Sequence, residues 1–138
     1  MPLSAADLTL DGDLRELERL AEEVEWFCQE NGLESNIEFD LNLVLEELFV
    51  NAVRHGGCEG VKEAARVHLE LREDGVRVEF ADRGREFDPA QAPEPDLEGP
   101  LAGRPIGGLG LHLVRNLAKD LEYRRVDGWN HITLWRPI

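Results

Sequence analysis

The stretch "LNLVLEELFVNAVRHGG", Leu41 to Gly57, has the apolar spacing of a core helix but carries Glu47, Asn51 and His55 four residues apart. At roughly 100° per residue, Ile37, Leu41, Val44, Leu45, Leu48 and Ala52 share one side of a helical wheel and predict the buried stripe. Glu46 falls roughly opposite, in water. Glu47, Asn51 and His55 form a second stripe along the border of the core, where a helix can line a cleft. The residue types suit a metal-bound nucleotide. An Asn offers a hard amide oxygen to Mg²⁺, which takes few protein ligands and fills the rest with water and phosphate, and a Glu can accept a proton. Three half-exposed residues with local hydrogen bonds would give the same pattern, and the helix by itself leaves both readings open.

Ser35 and Glu38 form a capping-box pair that opens this helix, and Gly56-Gly57 closes it near His55. Upstream, after a short strand at Ala6 to Leu10, "DLRELERLAEEVEWFCQENG" opens with Asp13 and Glu16 in the same arrangement and ends at Gly32. Its Leu14, Leu17, Leu20, Ala21, Val24, Phe27 and Cys28 make the apolar face of an amphipathic helix. From Ala65 the period changes to two. "ARVHLELRE" and "VRVEFADRG" read as antiparallel strands around Asp74-Gly75, and "LEYRRVDG" with "NHITLWRPI" as a second hairpin around Asp127-Gly128. Between the hairpins, "EFDPAQAPEPDLEGPLAGRPIGG" holds five of the seven prolines and reads as a long surface loop. A third helix, "GGLGLHLVRNLAKD", follows it. The fold class is an α+β sandwich in a single domain, residues 1–138, with a lid at about 88–106.

Composition limits the functions available. The formal net charge is −14, from 29 acidic and 15 basic residues, with no Lys/Arg cluster, which argues against direct nucleic-acid binding. Cys28 and Cys58 belong to no metal-ligand spacing and read as buried or free thiols in a reducing compartment. The N-terminus lacks the basic and apolar regions of a signal peptide, and no segment approaches the ~20 apolar residues of a membrane span. A cytoplasmic protein without a membrane partner is expected.

Two more segments carry candidate chemistry. In "ADRGREFDP", Asp82 ends an alternating strand and Gly84 follows where the backbone turns or approaches something closely. A carboxylate there can accept a hydrogen bond from an exocyclic amine such as adenine's, or simply form the turn. In "GGLGLHLV", Gly107 to Val114, glycines at a helix start let backbone N–H groups reach an anion. The segment is neither a P-loop nor a GxGxxG fingerprint.

In order, Glu47-x-x-x-Asn51-x-x-x-His55, Asp82-x-Gly84-x-x-Phe87 and Gly107-Gly108-x-Gly110 resemble the N, G1 and G2 boxes of the histidine-kinase, gyrase, Hsp90 and MutL type of ATPase. The short form, with "NAVRHG", "DRGREFDP" and "GGLGLHLVRNL", looks most like the bacterial anti-sigma-factor serine kinases. The resemblance spans about Leu14 to Leu134. It implies a two-layer α/β sandwich, with a mixed, mostly antiparallel sheet and three main helices on one face. It further implies ATP and Mg²⁺, with Asn51 on the metal, Glu47 as general base, Asp82 on the adenine amine, Gly84 keeping the pocket floor open and Phe87 among the nucleotide-binding residues. Gly107, Gly108, Leu109, Gly110 and Leu111 would present backbone donors to the phosphates, with Thr133 supporting the adenine contact. His55 is either a phosphate contact or a packed helix-end residue, and Arg104 is placed near the terminal phosphate on position and charge alone. The implied partners are a sigma factor and an antagonist protein that accepts phosphate on serine, and a homodimer is implied too. His112 resembles no phosphoacceptor motif, so no autophosphorylation is expected. Two other functions stay open, a catalytically silent ATP-gated binding module and a different phosphorelay regulator.

Overall fold

The computed structural model describes residues 2–89, 108–117 and 120–138. Five strands and three helices follow in the order β1 (Ser4–Leu10), α1 (Leu17–Glu30), α2 (Ser35–Arg54), β2 (Ala65–Arg72), β3 (Gly75–Asp82), α3 (Gly108–Asn116), β4 (Glu122–Val126) and β5 (Trp129–Pro137). The strands form one sheet ordered β1-β2-β3-β5-β4. All four pairings are antiparallel, so the parallel pair that a mixed sheet would contain is not found among the described residues.

The two helix starts differ from the capping boxes expected. Asp13 caps a single 3-10 turn, Leu14–Glu16, by accepting from the Arg15 N–H at 2.9 Å, while Glu16 takes the Asp11 N–H at 3.0 Å. The two acids therefore close different turns rather than one box, and α1 begins at Leu17. In α2, Ser35 is already helical; the N-cap is Glu34, whose carbonyl accepts from Ile37 and Glu38 without any side-chain cap.

The core lies between the helices and one sheet face. The expected stripe of α2, Ile37, Leu41, Val44, Leu45, Leu48 and Ala52, is buried; Phe49 and Val53 are buried as well, so α2 is enclosed over a wider arc than one stripe, and α1 packs along it. Leu20, Val24, Phe27 and Cys28 of α1 are buried, but Ala21 is exposed, because that side of α1 faces away from α2 and the sheet. Burying side chains of this size stabilises the fold by about 1.5–3 kcal/mol each. Cys28 and Cys58 are free and buried, and burial pushes the Cys28 thiol up to about 11, which makes it an inert packing residue.

The two hairpins turn differently. Asp127 (φ 51) and Gly128 (φ 84) occupy the left-handed region between the paired Val126 and Trp129, as a type I′ turn requires. In the β2–β3 hairpin Arg72 pairs with Gly75, so the turn residues are Glu73 and Asp74 and Gly75 already belongs to the strand. Gly75 is needed for space. A Cβ there would lie 2.5 Å from the Trp135 ring and 2.7 Å from the Arg136 carbonyl oxygen. Gly75→Ala is expected to cost about 1–3 kcal/mol through overpacking, measurable by urea denaturation, whereas a turn-only glycine with ordinary φ would tolerate alanine.

Candidate functional site

The site is assembled where the C-terminal end of α2 meets the end of β3. The Arg85 N–H donates to the Gly56 carbonyl at 2.9 Å, tying the residues after β3 to those after α2. Gly84 sits at this junction. A Cβ on it would meet Asp82 Oδ1 at 2.7 Å and the Gly56 oxygen at 3.0 Å, so only a glycine lets the two segments approach so closely. Gly56 has the same constraint, since a Cβ there would stand 2.7 Å from the Ala52 oxygen.

Along α2, Glu46 is exposed and Glu47 is buried, at 6% exposure. Burial disfavours the charged carboxylate, and with the neighbouring Glu46 charge it pushes Glu47 up to about 7. A buried carboxyl titrating near neutral pH is poised to take a proton. One turn on, Asn51 is half-buried, and its Nδ2 is a buried polar atom with no hydrogen-bond partner among the described residues. Such an orphan is costly in a finished core and usual where a ligand completes the bonding. His55 is exposed at the helix end, which leaves its ring outside the core.

Asp82 is buried at the end of β3, and burial raises its carboxyl above the usual range, against the opposing pull of its hydrogen bonds. Oδ1 accepts from the Gly84 N–H at 2.8 Å and from Asn130 Nδ2 at 3.0 Å. Asn130, directly across the ladder on β5, is 2% exposed and is the hub of the site. Its Nδ2 also donates to the Arg85 carbonyl at 2.6 Å. Its Oδ1 accepts from the Tyr123 hydroxyl at 2.7 Å, Arg125 Nη1 at 3.1 Å and the Phe87 N–H at 3.4 Å. Arg125 Nη1 reaches the Gly84 carbonyl at 2.5 Å. The loop from Gly84 to Phe87 is thus fixed by a buried amide, and one Asp82 oxygen is held in place while the other has no described partner.

The structure ties Asn51, through Gly56, to Gly84 and Asp82, with Glu47 one helical turn before Asn51 on α2 and Phe87 held by its backbone with its ring exposed. It does not bring Thr133 there. Side chains alternate along β5, so Thr133, paired with Glu79, lies on the sheet face away from α2, whereas Asn130, Ile132 and Leu134 point to the helices. On β5 it is Asn130 that holds the Asp82 carboxylate. Its signal was present in the sequence, as a polar residue in the apolar phase of an alternating strand. Gly108, Leu109, Gly110 and Leu111 form the first turn of α3, which packs on α2. Arg104, Gly107 and the lid from residue 90 on lie outside the described residues. Among the described residues no group of three or more His, Cys, Asp or Glu could hold a metal ion.

Residues 10–136 match the histidine kinase-like ATPase domain model. The chain belongs to the histidine kinase-like ATPase domain family, in the branch of the bacterial anti-sigma-factor serine kinases. It is 35% identical over 136 residues to the serine/threonine-protein kinase BtrW of Bordetella bronchiseptica, covering 97% of this chain and 89% of that protein. It is 31% identical over 93 residues to the serine-protein kinase RsbW of Bacillus cereus, covering 64% of this chain and 58% of that one. The fold matches the crystal structure of the RsbU and RsbW domains of a Mycobacterium tuberculosis protein with a TM-score of 0.69 at 20% identity, over 99% of this chain and 33% of the longer one. Among the described residues no helix is long and apolar enough to cross a membrane.

Proposed function

We propose that this histidine kinase-like ATPase domain is an ATP-dependent serine kinase and anti-sigma factor, which binds a sigma factor and phosphorylates an antagonist protein on serine. The observation that carries the kinase reading is the pairing on α2 of a buried Glu47, raised to about 7, with an Asn51 whose buried amide nitrogen lacks a partner among the described residues. A domain that only bound nucleotide would need the second and not the first. The kinship with BtrW, named a serine/threonine-protein kinase, and RsbW, named a serine-protein kinase, supports the same reading.

In this reading Asp82 accepts a hydrogen bond from the adenine amine, with Asn130 holding its carboxylate and Gly84 leaving room above it. Asn51 fits as the protein ligand of a Mg²⁺ that enters with ATP. The metal, when bound, neutralises phosphate charge. Backbone N–H groups at the start of α3, at Gly108, Leu109, Gly110 and Leu111, would take the phosphates with the helix dipole behind them, and Gly107 and Arg104 are assigned to the phosphates from the sequence alone. His55, exposed at the helix end, serves as a phosphate contact rather than a packing residue. Glu47 orients the serine hydroxyl and takes its proton as the phosphoryl group transfers. The domain acts as a cytoplasmic homodimer.

Because Glu47 must be ionised to act, phosphotransfer is expected to rise with pH through about 7 and then level off, read as initial rate of serine labelling at saturating ATP. Incubating the protein with γ-labelled ATP and candidate antagonist proteins from the same cell tests the function. Label on serine that disappears in Glu47→Ala, with nucleotide still bound, supports the kinase. If no protein is labelled while sigma-factor capture depends on ATP, the domain is an ATP-gated binding module. Recovery of neither a sigma factor nor an antagonist points to another phosphorelay.

A further inference from the structure

One rung of the sheet sets an acid, an amide and a base side by side on three strands. Asp82 on β3 pairs with Asn130 on β5, and Asn130 pairs with Arg125 on β4, so all three side chains leave the sheet on the side of the helices. Asp82 and Asn130 are buried, while Arg125 stands exposed on the edge strand. An arginine in that place is free to carry its charge out into water. Its Nη1 turns back instead, donating to the Gly84 carbonyl at 2.5 Å and to Asn130 Oδ1 at 3.1 Å, and Arg125 makes no ion pair among the described residues.

Those two contacts fall on the two residues that hold Asp82, since Gly84 and Asn130 are the donors to its Oδ1. The Asn130 amide is fully used. Its Nδ2 hydrogens go to Asp82 and the Arg85 carbonyl, and its Oδ1 takes Arg125 and the Tyr123 hydroxyl. A cation on the oxygen of an amide strengthens donation by its nitrogen, because linked hydrogen bonds polarise one another. It also fixes the amide's orientation, since a rotated Asn130 would turn its NH₂ toward the guanidinium. Asp82 touches no cation directly among the described residues, and a buried carboxylate without compensation favours its protonated form. Burial raises its carboxyl, and the Asn130 and Gly84 hydrogen bonds, with the charges of Arg125 and His131, oppose that rise.

We propose that Arg125 is a positioning residue for recognition of the nucleotide base: acting through Asn130 and Gly84, it keeps the Asp82 carboxylate a fixed acceptor for an exocyclic amine. Oδ1 is occupied by the Gly84 and Asn130 donors, so Oδ2 is the oxygen left for the amine. A protonated or rotated Asp82 loses that selectivity, because a carboxylic acid can donate as well as accept. The inference rests on the adenine reading of Asp82 given above and adds what makes that contact selective. Its signature is a loss of affinity that belongs to the amine. A residue that merely stabilised the loop would weaken every nucleotide alike.

The test is calorimetric binding to the full chain, with Mg²⁺, of ADP and of purine riboside 5′-diphosphate, which is ADP without its exocyclic amine. Wild type is expected to prefer ADP by at least ~10-fold, the worth of one hydrogen bond to a charged acceptor. Arg125→Met keeps the stem of the side chain and removes its charge and donors; the preference is expected to fall to ~3-fold or less, as for a neutral bond, through weaker binding of ADP. Arg125→Lys, which retains a cation with donors, is expected to be clearly more selective than Arg125→Met. Arg125 is exposed on an edge strand, and circular dichroism checks that both variants keep the fold. A wild-type preference that survives in Arg125→Met, even if both affinities drop together, overturns the role of Arg125 and leaves the adenine reading standing. A lysine variant no more selective than the methionine one overturns the part played by the charge. A wild type that binds the two ligands equally removes the adenine reading and this inference with it.

Discussion

Glu47→Gln is expected to lower serine phosphotransfer by ~10²–10⁴-fold, the usual contribution of a positioned general base, with Mg-ATP affinity essentially unchanged. Gln keeps the size and hydrogen-bonding shape of the side chain but cannot take the serine proton. The same substitution has an opposite effect on stability. The folded protein holds the Glu47 proton up to about pH 7, whereas the unfolded chain releases it around 4.5. Between those values the folded state binds more protons, so stability falls as pH rises, and above about 7 the full penalty for an ionised buried carboxylate is present. Glu47→Gln removes that slope. Urea denaturation should find the variant and wild type similar near pH 4, with the variant more stable by up to about 3 kcal/mol at pH 8. A residue that is costly to the fold at working pH and indispensable to turnover is what a catalytic carboxylate should look like. A variant that keeps wild-type phosphotransfer removes Glu47 from the chemistry.

The second large effect is expected at Asn130, which touches no substrate in the proposed mechanism. Asn130→Ala leaves Asp82 with the Gly84 N–H alone on Oδ1 and strips an acceptor from Tyr123, Arg125 and Phe87. The Arg85 carbonyl loses its donor too. Orphaned buried groups cost about 1–3 kcal/mol each, partly relieved by water, and a total loss of about 2–4 kcal/mol is expected in denaturant titration. Asp82 also loses the partner that fixes its carboxylate, so ATP affinity should fall at least ~10-fold, the equivalent of about 1.4 kcal/mol. Thr133→Ala is the control. Thr133 lies on the opposite sheet face, and its replacement should leave ATP affinity unchanged. Equal losses in the two variants would show that the adenine support does not come from Asn130.

Much of this molecule could be read from the chain because local rules and global fold agree along most of it. The helical period placed α1 and α2, the two-residue period placed β2, β3 and β5, and the wheel separated an exposed Glu46 from Glu47. What escaped had tertiary causes. The depth to which Glu47 is buried depends on its surroundings in the assembled fold, which no wheel of α2 alone contains. Gly75 looked like a turn residue and is instead a space left for Trp135 from a strand some sixty positions away. The sheet face of Thr133 is a different case, since strand parity decides it: Asn130 shares its phase with Ile132 and Leu134, and Thr133 does not.

A crystal structure grown with Mg²⁺ and a non-hydrolysable ATP analogue is the most direct test of the site. It should show the metal on Asn51 Oδ1, the adenine amine on the Asp82 carboxylate, and Glu47 facing the terminal phosphate. A metal bound away from α2, or an adenine ring that does not meet Asp82, would contradict the assignment.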